Sequence, residues 1–132
     1  HAAPAAITIT HVPFERWLPQ LARAVAAVCE ISTAELVQRQ SRMPRIKRAR
    51  YAFILAARET LGRSYIEIAE ALQCRCHSSM TAGHRIALQW RASDPEFCQL
   101  TDLVNAIAAL LRNPAPVQLD IQQEMFHDAQ AA

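Results

Sequence analysis

Glycine occupies only positions 62 and 83 in a chain of 132 residues. Alanine and leucine are abundant, and β-branched residues seldom alternate with polar ones, so the backbone chemistry favours helices over strands. The expected fold class is all-α, a compact helical bundle. With 52% hydrophobic residues the chain can bury one core, and a single domain is the simplest organisation. The leading HAAPAA begins at His1 and carries no periodic pattern. Residues 1–12 are expected to be a flexible lead-in or cloning remnant.

No apolar run reaches the roughly 18 residues needed to cross a bilayer. The start also lacks the charged-then-apolar order of a secretory signal. No membrane association is expected, and the location is expected to be cytoplasmic. Cys29, Cys74, Cys76 and Cys98 then read as free thiols rather than a disulfide framework. Cys29 and Cys98 lie among apolar residues and are expected to fill the core.

The net charge of +2 hides a strong asymmetry. Arg39, Arg42, Arg45, Lys47, Arg48, Arg50 and Arg58 follow one another with no acidic residue between them. Beyond Arg91 the balance reverses, with Asp94, Glu96, Asp102, Asp120, Glu124 and Asp128 set against Arg112 alone. Solvated faces usually intersperse both signs, whereas a block of one sign is the footprint of a polyanionic partner such as nucleic acid.

Helical spacing of Leu18, Leu21, Ala22, Val25 and Val28 predicts an amphipathic helix over 13–30. Ser32 and Glu35 have capping-box spacing for a short second helix. A basic loop broken by Pro44 leads into a third helix over 45–61, with Ala49, Phe53, Leu55, Ala56 and Leu61 inward. Gly62 can end it in the left-handed conformation, and Ser64 can cap a short helix over 65–72 with Tyr65, Ile68, Ala69 and Leu72 on its apolar side. Two more helices are expected over 77–91 and 95–112, the last capped by Ser93 or Asp94 with Pro95 at its first position. The compact domain then covers 13–113, ending at NPAP, and 114–132 is expected to be a mobile tail. A short helix, a tight turn and a longer helix make a helix-turn-helix, whose second helix can enter a major groove.

The stretch RQSRMPRIKRARYAFILAARETLGRSYIEIAEALQCRCHSSMTAGHRI, residues 39–86, resembles the C-terminal DNA-binding domain (domain IV) of the bacterial replication initiator DnaA. The family pattern is a basic loop, an Arg-rich helix start, A-x-x-L-A-x-E-x-T, a S-x-x-x-I-G helix and G-G-R-D-H-T-T-V opening the recognition helix. Its counterparts are LAARET at 55–60, SYIEIAEAL at 64–72 and CRCHSSM at 74–80, within a resemblance spanning about 20–111. The resemblance implies a DnaA C-terminal-like, Trp-repressor-like helix-turn-helix bundle that binds double-stranded DNA and serves as a regulator of chromosome replication initiation or of transcription, nucleoid-associated in the cytoplasm. It implies that Arg42 reaches the minor groove, where negative potential is concentrated. Basic residues at the next helix start (Arg45, Lys47, Arg48, Arg50) and Arg58 meet the backbone, with Ser64 counted beside them. Arg75, Cys76, His77, Ser78 and Ser79 open the helix that reads base edges.

Departures from the pattern are equally informative. Cys76 replaces an aspartate that accepts from cytosine N4, and a neutral thiol is a weak acceptor. Ser78 and Ser79 lack the threonine methyls, and Gln73-Cys74 replaces Gly-Gly in the turn. No G-x-x-x-x-G-K-[ST] occurs, so the initiator's ATPase module has no counterpart, and the expectation is a small stand-alone relative. Cys74, Cys76, His77 and His84 are metal-ligand types, but the cysteines are one residue apart and the histidines would stand about 10 Å apart along a helix. Neither a metal, a cofactor nor an enzymatic activity is expected. An oxidisable Cys76 beside Arg75 is a secondary possibility. The competing function is a protein-interaction module that kept the fold, lost box reading and binds a replication initiation protein.

Overall fold

The computed structural model describes residues 11–38 and 42–113. Residues 1–10 of the expected lead-in, Arg39 and the whole expected tail lie outside these. Among the described residues six helices follow a 3-10 turn at Phe14–Arg16: α1 Trp17–Cys29, α2 Thr33–Leu36, α3 Pro44–Glu59, α4 Tyr65–Ala71, α5 Ser78–Ser93 and α6 Pro95–Arg112. Among the described residues there is no strand.

Local chemistry sets most boundaries. Ser32 Oγ accepts from the Glu35 amide while Glu35 returns a bond to the Ser32 amide, which satisfies two donors at the start of α2. The same box closes between Ser64 and Glu67 at α4. Asp94 caps α6 by accepting from the Glu96 and Phe97 amides, ahead of Pro95. Pro44, expected in the loop, is instead the first residue of α3, where a missing N–H costs nothing. Gly62, at φ +65, ends the α3 region while the Arg63 amide reaches back to the Ala57 carbonyl. Glu30 takes the left-handed position after α1 without being glycine.

Helix α3 is the axis of the bundle. Ile46, Ala49, Ala52, Phe53, Ile54, Leu55, Ala56 and Ala57 are all buried, far more than one stripe, because α1, α5 and α6 pack around it. Leu18, Leu21 and Val25 of α1 join this core, as do Ile68 and Ala69 of α4 with Leu72 just after it, and Phe97, Val104 and Ala108 of α6. Ala22 and Val28, expected inward, are half-buried, and Ala26 is buried in their place. Cys29 and Cys98 are likewise half-buried at the core margin, whereas Cys74 is buried.

Helices α3 and α5 run antiparallel. Arg48 meets Asp94, Tyr51 packs edge-on against Trp90 at 4.8 Å, and Glu59 meets His84. Gly83 permits their close approach, because a Cβ there would lie 2.9 Å from Ile54 Cδ1. The start of α5 therefore projects past the end of α3, beside α4.

Candidate nucleic-acid interface

The turn joining α4 to α5 is built on a strained residue. Gln73 has φ +54, and the Cys74 amide bonds back to the Ala69 carbonyl at 2.8 Å. This is the place where the resembled pattern has glycine. A side chain there costs roughly 1 kcal/mol, yet the left-handed turn is kept.

Beyond it the chain presents Arg75, Cys76, His77, Ser78 and Ser79, all exposed. His77 is the N-cap of α5 but makes no side-chain capping bond, so its imidazole projects from the helix start. The amides of this first turn are satisfied locally: those of Ser79 and Met80 bond to the Cys76 and His77 carbonyls, and the Cys76 sulfur faces the Ser78 and Ser79 amides. Cys76 Sγ lies 2.8 Å from Ser78 Oγ. That hydrogen bond, followed by those from the Ser79 amide and hydroxyl, lowers the Cys76 thiol to about 7. Near neutral pH the thiolate is a substantial fraction, and a thiolate accepts hydrogen bonds far better than the neutral thiol considered from sequence.

A network that the sequence did not reveal fixes this helix start. His84 Nε2 and Glu59 Oε2 are 2.7 Å apart, and Tyr65 Oη and His84 Nδ1 are 2.8 Å apart. With Nε2 protonated, the ring donates to Glu59 and accepts from Tyr65, so one imidazole ties α3, α4 and α5 together. Arg58 stacks over the Tyr65 ring at 4.3 Å and donates from Nη1 to the Arg63 carbonyl. Arg63 is buried, ion-paired to Glu67 at 3.2 Å and stacked 3.6 Å from the Phe14 ring. The i,i+4 spacing of Arg63 and Glu67 was a usable signal. No local pattern marks the longer-range partners of His84.

The remaining basic residues of the expected interface gather at the opposite end of α3 and divide by what they touch. Arg42 and Lys47 are exposed and line an open groove of about 410 Å³ with Pro44, Arg48, Trp90, Ser93 and Asp94. Arg48 is ion-paired to Asp94 at 3.1 Å and to Glu96 at 3.6 Å. Arg50 donates to the Leu36 carbonyl at 2.8 Å, anchoring the end of α2. Arg45 lies toward α1, where its charge acts on the Cys29 thiol against the dominant upward effect of burial. Ser64 is occupied as the cap of α4. The basic positions thus form two groups, about 20 Å apart along α3 at 1.5 Å per residue.

The fold and exposed surface define an all-helical bundle with a short helix, a turn and a projecting longer helix. No protein-family model matches the chain, and no curated protein matches it. Among solved structures it is similar to one described as the crystal structure of a DNA replication initiation factor, with 21% sequence identity and a TM-score of 0.64. The likeness covers 73% of this chain and 29% of that one, so the chain spans under a third of that structure's length. The fold is the expected all-helical bundle, and it is shared with part of that replication initiation factor. No helix among the described residues is long and apolar enough to cross a membrane.

Proposed function

We propose that the chain binds double-stranded DNA through a helix-turn-helix formed by α4 and α5, as a non-catalytic regulator of replication initiation or transcription acting at the nucleoid. The observation that carries this reading is the exposed run Arg75–Ser79 at the start of α5, where the His77 side chain makes no capping bond. The start of α5 enters the major groove, where His77, Ser78, Ser79 and the Cys76 thiolate meet base edges and Arg75 and Arg58 meet phosphates. The group at the other end of α3 lies about 24 Å from the start of α5, the rise from Ser78 to the Asp94 that holds Arg48, and the reach of the long Arg42 side chain brings this within the half-turn of B-DNA, about 17 Å, that separates a major groove from the adjoining minor groove. Arg42 enters that minor groove.

Duplex titrations with His77→Ala and Arg42→Ala test the reading. His77→Ala is expected to lose roughly five- to hundredfold of discrimination between a preferred site and random sequence. Arg42→Ala is expected to weaken all duplexes with a smaller change in preference. Wild-type affinity in both variants would contradict the proposal. A protein-interaction role has one observation in its favour, the exposure of Leu103 and Leu110 seven residues apart on α6. Capture of a replication initiation protein by a chain that binds no duplex would select that role.

A further inference from the structure

The groove where the start of α3 meets the α5–α6 turn holds more donors than its neighbours satisfy. Arg42 and Lys47 have no carboxylate partner among the described residues, and the Trp90 indole N–H makes no hydrogen bond among them. Trp90 is held in place by edge contacts with Tyr51 at 4.8 Å and Phe97 at 5.5 Å, so this wall of the groove is preformed. The only carboxylates at the groove among the described residues are those already on Arg48, and they differ in kind. Asp94 is committed to capping α6 with Oδ1 while Oδ2 holds Arg48. Glu96 is 84% exposed, reaches Arg48 only at 3.6 Å, and makes no other side-chain contact.

We propose that this groove is a phosphodiester site, in which Lys47 and Arg48 neutralise one backbone phosphate, Trp90 donates to it, and the phosphate displaces Glu96 from Arg48. The inference rests on the duplex-binding reading and adds to it a second anchoring point, flanking the minor groove that Arg42 enters. Cations in an open concave site attract a phosphate oxygen more strongly than an exposed glutamate whose side chain must be ordered to stay. Glu96 occupies the position of the phosphate in the free protein and lowers duplex affinity by competing for the same guanidinium. Asp94 stays on Arg48 throughout and keeps its planar head facing the groove.

The test is a double-mutant cycle on duplex affinity, using wild type, Glu96→Gln, Arg48→Ala and the double variant, with thermal melts showing that each is folded. Glu96→Gln is expected to bind duplex about two- to fivefold more tightly, the range set by an exposed ion pair, with the salt slope little changed because Arg48 meets its phosphate in both proteins. In the Arg48→Ala background the same change is expected to give no gain. An unchanged affinity for Glu96→Gln overturns the inference while leaving duplex binding intact. A gain that persists without Arg48 also overturns it, since only overall charge would then be at work. Failure of the wild type to bind duplex overturns the function reading itself. A parallel titration with inorganic phosphate at constant ionic strength separates sources: phosphate binding to the wild type that is lost in Arg48→Ala but is not displaced by saturating duplex would identify a free-phosphate site and overturn the assignment to the DNA backbone.

Discussion

Raising monovalent salt from about 50 to about 200 mM is expected to weaken duplex binding roughly 250- to 1000-fold. Arg42, Lys47, Arg48, Arg58 and Arg75 are the cations placed to meet phosphates, about five in all. Each neutralised phosphate releases close to one condensed counterion, so log affinity should fall with log salt at a slope of about −4 to −5. Arg50 is left out because it is turned to the Leu36 carbonyl of α2, and Arg45 because its charge lies on the α1 side; Arg58 also holds a carbonyl, that of Arg63, but stands at the α4 end of α3 and keeps further N–H donors for a phosphate. Including both would steepen the slope to about −6, so fluorescence anisotropy across a salt series checks the assignment of each arginine as well as the mode of binding. A slope shallower than about −2 would contradict a phosphate-led complex.

Phe53→Ala is expected to cost about 3–5 kcal/mol of stability. Phe53 is fully buried at the middle of α3, and it belongs to the cluster that contains Leu21, Val25, Leu55, Phe97 and Val104. Truncation removes the transfer free energy of a ring and leaves a void, because α3 is enclosed by α1, α5 and α6 and has little room to collapse. Domains of this size hold only about 5–15 kcal/mol in total. The loss should therefore lower the melting temperature by on the order of 20 °C. Urea denaturation measures it directly, and a loss below about 1 kcal/mol would show that α3 is not the axis of the core. Duplex binding should weaken in parallel, because α3 carries the cations at one end and positions α5 at the other.

Features set by neighbouring residues were legible in the sequence. The Ser32–Glu35 box, the Ser64 cap, Asp94 with Pro95, and Gly62 after α3 all depend on bonds spanning a few positions, and each stands where its spacing implied. The run YAFILAA was legible as helix but not in the extent of its burial: Ala52, Ile54 and Ala57 are buried beside the expected Phe53, Leu55 and Ala56, because a helix enclosed on several sides has no single apolar stripe. Partners of the charged residues were not legible at all. Arg48 finds Asp94 46 positions away, and His84 finds Tyr65 and Glu59 at separations of 19 and 25. A row of arginines in the sequence thus separates into anchors of the fold and cations left at the surface only once α3 and α5 are known to run antiparallel. Cys76 is a further example: its side chain alone reads as a weak acceptor, and the hydroxyls and amides of Ser78 and Ser79 make it acidic.

That thiol also supplies the most direct test of where DNA sits. Cys76 is exposed at the start of α5 and ionises at about 7, whereas Cys74 is buried, so mild alkylation at neutral pH with peptide mapping should mark Cys76 well ahead of Cys74. If the start of α5 enters the major groove, saturating duplex should slow alkylation of Cys76 at least about tenfold and leave the rate at Cys29, the last residue of α1, unchanged. Equal rates at Cys76 with and without saturating duplex would show that DNA, wherever it binds, does not meet this helix.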